Sequence, residues 1–224
     1  MKKILIVLTN TKTYGQNSEA TGLWLGEATE FIDEISKYEI EYDFVSPKGG
    51  MVPIDPRSLK YAKKSDLVMY ETQDFKQKAL LKSLKPSEVN AKDYWAIYFT
   101  GGHGVMWDFP HNKELQKISL DIYNNQGYIA TVCHGIAGLL YLQDSEGNYL
   151  IANKKITGFT TTEEKLSGKK RLVPFLNQEV AKEHGAKFVK KRFFSAHAVQ
   201  DGQLITGQNP QSVRVTAKKL LKNL

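Results

Sequence analysis

The chain of 224 residues has one cysteine, Cys133, so no intramolecular disulfide can staple it. A lone thiol suits a reducing compartment, and a cytoplasmic location is expected. Long apolar runs are also missing, which excludes a transmembrane helix and any expected membrane partner. The opening Met1-Lys2-Lys3-Ile4-Leu5-Ile6-Val7-Leu8 has the basic-then-apolar order of a secretion signal. Its run is short, however, and Thr9-Asn10-Thr11-Lys12 follows without a small-residue cleavage site, so it reads as a buried first strand. Repeats, low-complexity blocks and linkers are absent. One domain over 1–224 is therefore expected, with a small variable region around 51–90 where Pro53, Pro56 and Pro86 interrupt the pattern. The net charge is +7, spread over scattered lysines with denser clusters at Lys169-Lys170-Arg171 and Lys190-Lys191-Arg192. No recognition motif accompanies this charge, so it reads as solvated basic faces and a nucleic-acid partner is not expected.

Short apolar runs alternate with amphipathic segments, the pattern of an α/β fold with a mostly parallel sheet sandwiched by helices. Strands are predicted over 4–8, 42–45, 94–99, 128–132, 155–158, 187–189, 197–200 and 204–206. Helices are predicted over 22–35, 113–123, 134–141 and 175–184, and a last one follows Asn209 with Pro210 at its first position.

The chemistry centres on Val132-Cys133-His134-Gly135. An apolar strand runs straight into a nucleophile and a helix follows, the logic of a nucleophile elbow that lifts the sulfur above the carboxyl ends of the strands. The helix N-terminus is expected to lower the thiol pKa. Thr100-Gly101-Gly102-His103-Gly104 follows another strand, and its glycines let backbone N–H groups approach a ligand as an oxyanion hole would. Glu27 follows Gly26 in an otherwise apolar helical stretch. If it faces inward, burial raises its pKa and makes it a candidate to move protons beside the thiol. Tyr14, Trp24, Trp107 and Phe159 are candidates to line a pocket or to pack in the core.

These segments together resemble the ThiJ/PfpI superfamily, which shares the class I glutamine amidotransferase-like fold, and more narrowly its heat-shock chaperone and glyoxalase III branch. The resemblance is carried by Thr21-Gly22-Leu23-Trp24-Leu25-Gly26-Glu27, Ser46-Pro47-Lys48-Gly49-Gly50, Pro53-Ile54-Asp55-Pro56 and Gly101-Gly102-His103-Gly104. Val132-Cys133-His134-Gly135, Ile156-Thr157-Gly158-Phe159-Thr160 and Leu204-Ile205-Thr206-Gly207-Gln208-Asn209-Pro210 complete it in family order. It implies a flavodoxin-like sheet and a glutathione-independent glyoxalase that converts methylglyoxal and related 2-oxoaldehydes to D-lactate or the matching hydroxy acid. The alternatives are a cysteine peptidase or deglycase, or a stress chaperone or redox sensor.

The implied catalytic residues are Cys133, His134, Glu27 and Glu164, with Glu163 as the adjacent alternative to Glu164. Gly102 and the His134 backbone match the oxyanion donors, and Gly101, His103 and Trp24 fall at the substrate. The resemblance also implies a homodimer and no cofactor. His197-Ala198-Val199 lacks the acid of the late His-x-Glu pair found in amidotransferases, so coupled glutamine hydrolysis is not expected. Some bacterial chaperone relatives carry a metal near the cleft. His103 could contribute to such a site, but no second histidine stands where that pattern needs one, and no metal is expected.

Overall fold

The alternation of the first apolar run sets the architecture. In a strand, successive side chains face opposite sides. Ile4, Ile6 and Leu8 enter one buried cluster and Leu5 and Val7 the other. Both faces of this strand are therefore covered, as a parallel sheet requires. The computed structural model describes residues 3–224. Its main sheet has six strands in the order β2-β1-β3-β4-β8-β7, with β1 Lys3–Val7, β2 Tyr42–Val45, β3 Tyr94–Phe99, β4 Tyr128–Val132, β7 Ala198–Asp201 and β8 Leu204–Gly207. All pairings are parallel except β7 with β8, an antiparallel edge. β5 Lys155–Ile156 and β6 Lys187–Phe188 form a separate parallel pair.

Helices Leu25–Ile35 and Val213–Leu221 cover one face through Leu25, Phe31, Ile35, Ala217 and Leu220. Arg214 ties the two together by pairing with Glu30, Asp33 and Glu34. Helix Lys113–Asn124 and the segments Ala137–Leu140 and Asn177–Glu183 cover the other face through Leu115, Ile122, Leu139 and Ala181. Each fully buried Leu, Ile or Phe contributes about 1.5–3 kcal/mol, so this double-sided core outweighs any single surface contact.

Two differences from the predicted elements bear on the site. The first helix begins at Leu25, because residues 21–24 run extended: Leu23 bridges to Ile54, and Trp24 N–H donates to Gly101 O at 3.2 Å. The segment after Cys133 is a 3-10 turn, Cys133–Ile136, followed by a four-residue helix, Ala137–Leu140. Residues 51–90 carry short helices, among them Pro56–Tyr61 and Lys64–Glu71, and the first of these walls the site.

β1 has β2 on one side and β3 on the other, which makes a topological switch point between β1 and β3. Ligands bind at the carboxyl ends of strands at such a point. The turns after β1, β3 and β4 all open there.

Candidate active site

Cys133 directly follows β4 at φ 57°, in the left-handed region that few non-glycine residues occupy. Such strain persists only where the surroundings enforce it. Here Gly135 packs so closely that a Cβ would lie 2.3 Å from Phe99 O, which locks the turn onto β3. Cys133 lines a cleft of about 780 Å³ with Gly102, His103, His134 and Phe159. The cleft's outer wall comes from Trp24, Arg57, Tyr61, Leu166 and Phe194.

On one side of the sulfur, His134 Nδ1 lies 3.3 Å from Cys133 Sγ, and His134 Nε2 lies 2.7 Å from Glu164 Oε2. Glu164 also takes His103 Nε2 on Oε1 at 2.9 Å. Burial alone would push this carboxyl up, but the two histidines hold it well below the usual carboxylate range. Of the two adjacent glutamates, it is Glu164 that reaches His134. Glu163 caps its own helix, Thr161–Leu166, through Thr160, and its Oε1 accepts from Phe194 N, Gln208 Nε2 and Asn209 Nδ2 at 2.9, 3.0 and 2.8 Å.

On the other side, Glu27 is fully buried. Its Oε2 accepts from Gly101 N at 2.7 Å, and the carboxyl lies against the Cys133 side chain. Its Oε1 takes no hydrogen bond from any other described group. Burial raises this carboxyl to about 8, so it holds its proton at neutral pH. Its helix is anchored by Tyr98, whose hydroxyl donates to Glu27 O at 2.9 Å.

Two sequence expectations need correction. The thiol pKa is raised, not lowered: burial comes first, and the Glu27 and Glu163 charges add to it. A 3-10 turn and four helical residues supply too small a dipole to offset that burial. Gly101 does not line the cleft. Its N–H is spent on Glu27 and its carbonyl on Trp24, and a Cβ there would lie 2.6 Å from Glu27 Oε2. Gly102, at φ 101°, does line the cleft, and its N–H has no acceptor among the described residues. The His134 N–H faces the sulfur. The Gly102 N–H is therefore free to serve an oxygen bound at Cys133, and the His134 N–H, held at the sulfur, stands beside that oxygen.

Trp24 stacks on Tyr61 with ring centroids 5.8 Å apart, and Phe159 lies 4.2 Å from the His134 ring. Tyr14 packs between His103 and Trp107, and Trp107 stays outside the cleft. The sequence reading missed Arg57, Tyr61, Leu166 and Phe194. Arg57 had a signal: it follows Pro53-Ile54-Asp55-Pro56, where Asp55 caps a helix with Pro56 at its first position.

The second histidine of a possible metal group turns out to be His134. His103, His134 and Glu164 offer ligand atoms within 4.8 Å of one another. The donor set does not fit a resident metal, however. A metal on His103 Nε2 would put the ring proton on Nδ1, which faces the purely donating Arg57 Nη2 at 3.0 Å.

A mostly parallel α/β sheet with a strained cysteine elbow, a histidine and two buried carboxyls defines a class of cysteine-centred α/β proteins. The chain belongs to the DJ-1/PfpI family, whose model matches residues 20–223. It is 36% identical to the glutathione-independent glyoxalase HSP31 of Saccharomyces cerevisiae, over 100% of this chain and 98% of that protein. Among solved structures it is similar to the Rapid Encystment Protein 24 KDa of Francisella tularensis, with TM-score 0.96, 38% identity and coverage of 99% of this chain and 98% of that one. It is also similar to glyoxalase III of Candida albicans, with TM-score 0.88, 30% identity and coverage of 99% and 96%. Among the described residues no helix is long and apolar enough to cross a membrane.

Proposed function

We propose that this protein is a glutathione-independent glyoxalase that converts methylglyoxal and related small 2-oxoaldehydes to 2-hydroxy acids, D-lactate in the case of methylglyoxal. The observation that carries the reading is the arrangement around one sulfur: His134 held by an ionised Glu164 on one side and a protonated Glu27 on the other. Full-length similarity to proteins named as glyoxalases of this kind supports it.

His134 Nδ1 takes the Cys133 proton as the sulfur adds to the aldehyde carbon, giving a hemithioacetal. A thiol raised by burial is not a standing thiolate, so the transfer accompanies attack. The N–H groups of Gly102 and His134 hold the oxygen. A carboxyl at about 8 gives up its proton near neutral pH, so Glu27 first protonates the hemithioacetal oxygen and then, as the carboxylate, takes the C1 proton and returns it to C2 through an enediol. C1 is oxidised as C2 is reduced, which leaves a Cys133 thioester, and one water hydrolyses it to the hydroxy acid and the free thiol.

Purified protein and Cys133→Ala should be incubated with methylglyoxal and assayed for D-lactate. The variant is expected to lose at least about 1,000-fold. Equal rates in the two proteins would sink the reading.

A further inference from the structure

The reaction scheme leaves Pro53-Ile54-Asp55-Pro56 and the residue after it unused, yet Arg57 sits in the wall of the cleft. We infer that Arg57 is a positioning residue for the Cys133–His134–Glu164 line, acting through the tautomer of His103. Only the kcat part of the argument rests on the proposed glyoxalase reading.

Asp55 is fully buried and clamps the guanidinium. Its Oδ1 accepts from Arg57 N at 2.9 Å and Nε at 3.1 Å, and its Oδ2 accepts from Nη2 at 2.7 Å and from Thr21 Oγ1 at 3.0 Å. Arg57 Nη2 also donates to the Tyr14 hydroxyl. Held this way, Nη2 stands 3.0 Å from His103 Nδ1. Nη2 has two hydrogens to share among Asp55 Oδ2, the Tyr14 hydroxyl and His103 Nδ1, but a guanidinium accepts nothing, so a proton on Nδ1 would face a donor and Nδ1 is left bare. The one proton of a neutral imidazole then lies on Nε2 and is donated to Glu164 Oε1 at 2.9 Å. Ser167 Oγ donates to the same oxygen at 3.0 Å.

Glu164 is thereby pinned with Oε2 left for His134 Nε2–H, and a proton there leaves His134 Nδ1 bare toward the sulfur. Arg57 on one side and the Glu164 carboxylate on the other fix the His103 tautomer, and Glu164 in turn fixes that of His134. Neutral His103 is a condition of this arrangement. The groups facing its ring are Arg57, Glu164, His134 at 4.1 Å between centroids and Tyr14 at 5.3 Å. Asp55 and the Glu19–Lys169 pair stand behind them. Burial, His134 and Arg57 hold His103 down at about 4 against the pull of Glu164.

The test uses the full chain and the variants Arg57→Met, His103→Gln and His103→Leu. Gln keeps a donor toward Glu164 and an acceptor toward Arg57, whereas Leu keeps neither. Nitrogen NMR of labelled histidines reads the His103 tautomer. Iodoacetamide alkylation of Cys133, the one thiol, reads the line without any substrate. Methylglyoxal kinetics add kcat and KM.

Wild type is expected to show the Nε2–H form. Arg57→Met is expected to give mixed tautomers, and its alkylation rate at pH 7 and kcat should each fall about tenfold with KM nearly constant. His103→Gln should lose less than His103→Leu, which should fall with Arg57→Met. An unchanged tautomer and alkylation profile in Arg57→Met would overturn the inference. So would a raised KM with intact kcat and alkylation, which would make Arg57 a substrate contact. If Arg57→Met does not fold, the His103 pair decides: equal loss in Gln and Leu overturns the proposal. No lactate from any form, with tautomer and alkylation responding as stated, would sink the glyoxalase reading and sustain this one.

Discussion

Glu27 and Glu164 are both buried beside the same sulfur, and they are held in opposite protonation states. Glu27 has one backbone donor and no cation, so burial prevails and the carboxyl sits at about 8. Glu164 is buried to a similar degree but stands between two imidazoles, and it stays ionised. Burial by itself therefore does not decide what a carboxyl does; the donors and charges packed around it do. In the proposed reaction this contrast divides the labour at Cys133: Glu164 orients His134 as the base, and Glu27 holds the proton that is moved.

The hardest blow to this division is Glu164→Gln. Both histidines donate to Glu164, and a glutamine offers one acceptor and turns an N–H toward the other donor. His134 must then flip or lose its orientation. Turnover is expected to fall on the order of 1,000- to 10,000-fold, with thermal melting showing that the fold remains. A loss under tenfold would mean that the Glu164 charge does not act on His134.

Glu27→Gln attacks the other side. Without an exchangeable proton, turnover should fall about 100-fold while Cys133 still alkylates. Stability should move the other way. The folded-state pKa is raised, so the folded protein binds more protons than the unfolded chain between the usual carboxylate value and about 8. Wild-type stability therefore falls as pH rises through that window. Glutamine cannot ionise, so the variant should gain about 1–3 kcal/mol relative to wild type between pH 5 and 8, read from denaturant midpoints. Equal pH slopes in the two proteins would mean that Glu27 is already ionised.

Much of this contrast is legible in the sequence. β3 and β4 coincide with the apolar runs predicted over 94–99 and 128–132, because a strand covered on both faces is continuous in its apolar character. Cys133, His134 and Glu27 stand out by residue type and setting. What periodicity cannot show is where a side chain's partners come from. Arg57 lies 46 residues from His103 in sequence, and their contact forms only when the turn after β3 meets the Pro56–Tyr61 helix. The misplacement of Gly101 has the same origin. Glycines after a strand signal close approach, and here the approaching group is Glu27 from another element rather than a ligand. The helix predicted over 134–141 implies a dipole that lowers the thiol pKa, whereas the segment opens with a 3-10 turn and burial prevails.

Glu163→Gln should touch activity least and sharpens the comparison most finely. Glu163 is fully buried, as Glu27 is, but donors surround both of its oxygens and it contacts neither His134 nor the sulfur. Glutamine turns an N–H toward one set of those donors, at a cost of about 1–3 kcal/mol. For a chain of this size that lowers Tm by a few degrees, on the order of 2–4 °C per kcal/mol. Turnover should stay within about threefold. The Glu163 charge also helps push the Cys133 thiol up, so its removal should make alkylation at a fixed pH faster rather than slower. A slower thiol in Glu163→Gln would place Glu163 among the groups that orient His134 and would erase the distinction between neighbouring glutamates that the geometry draws.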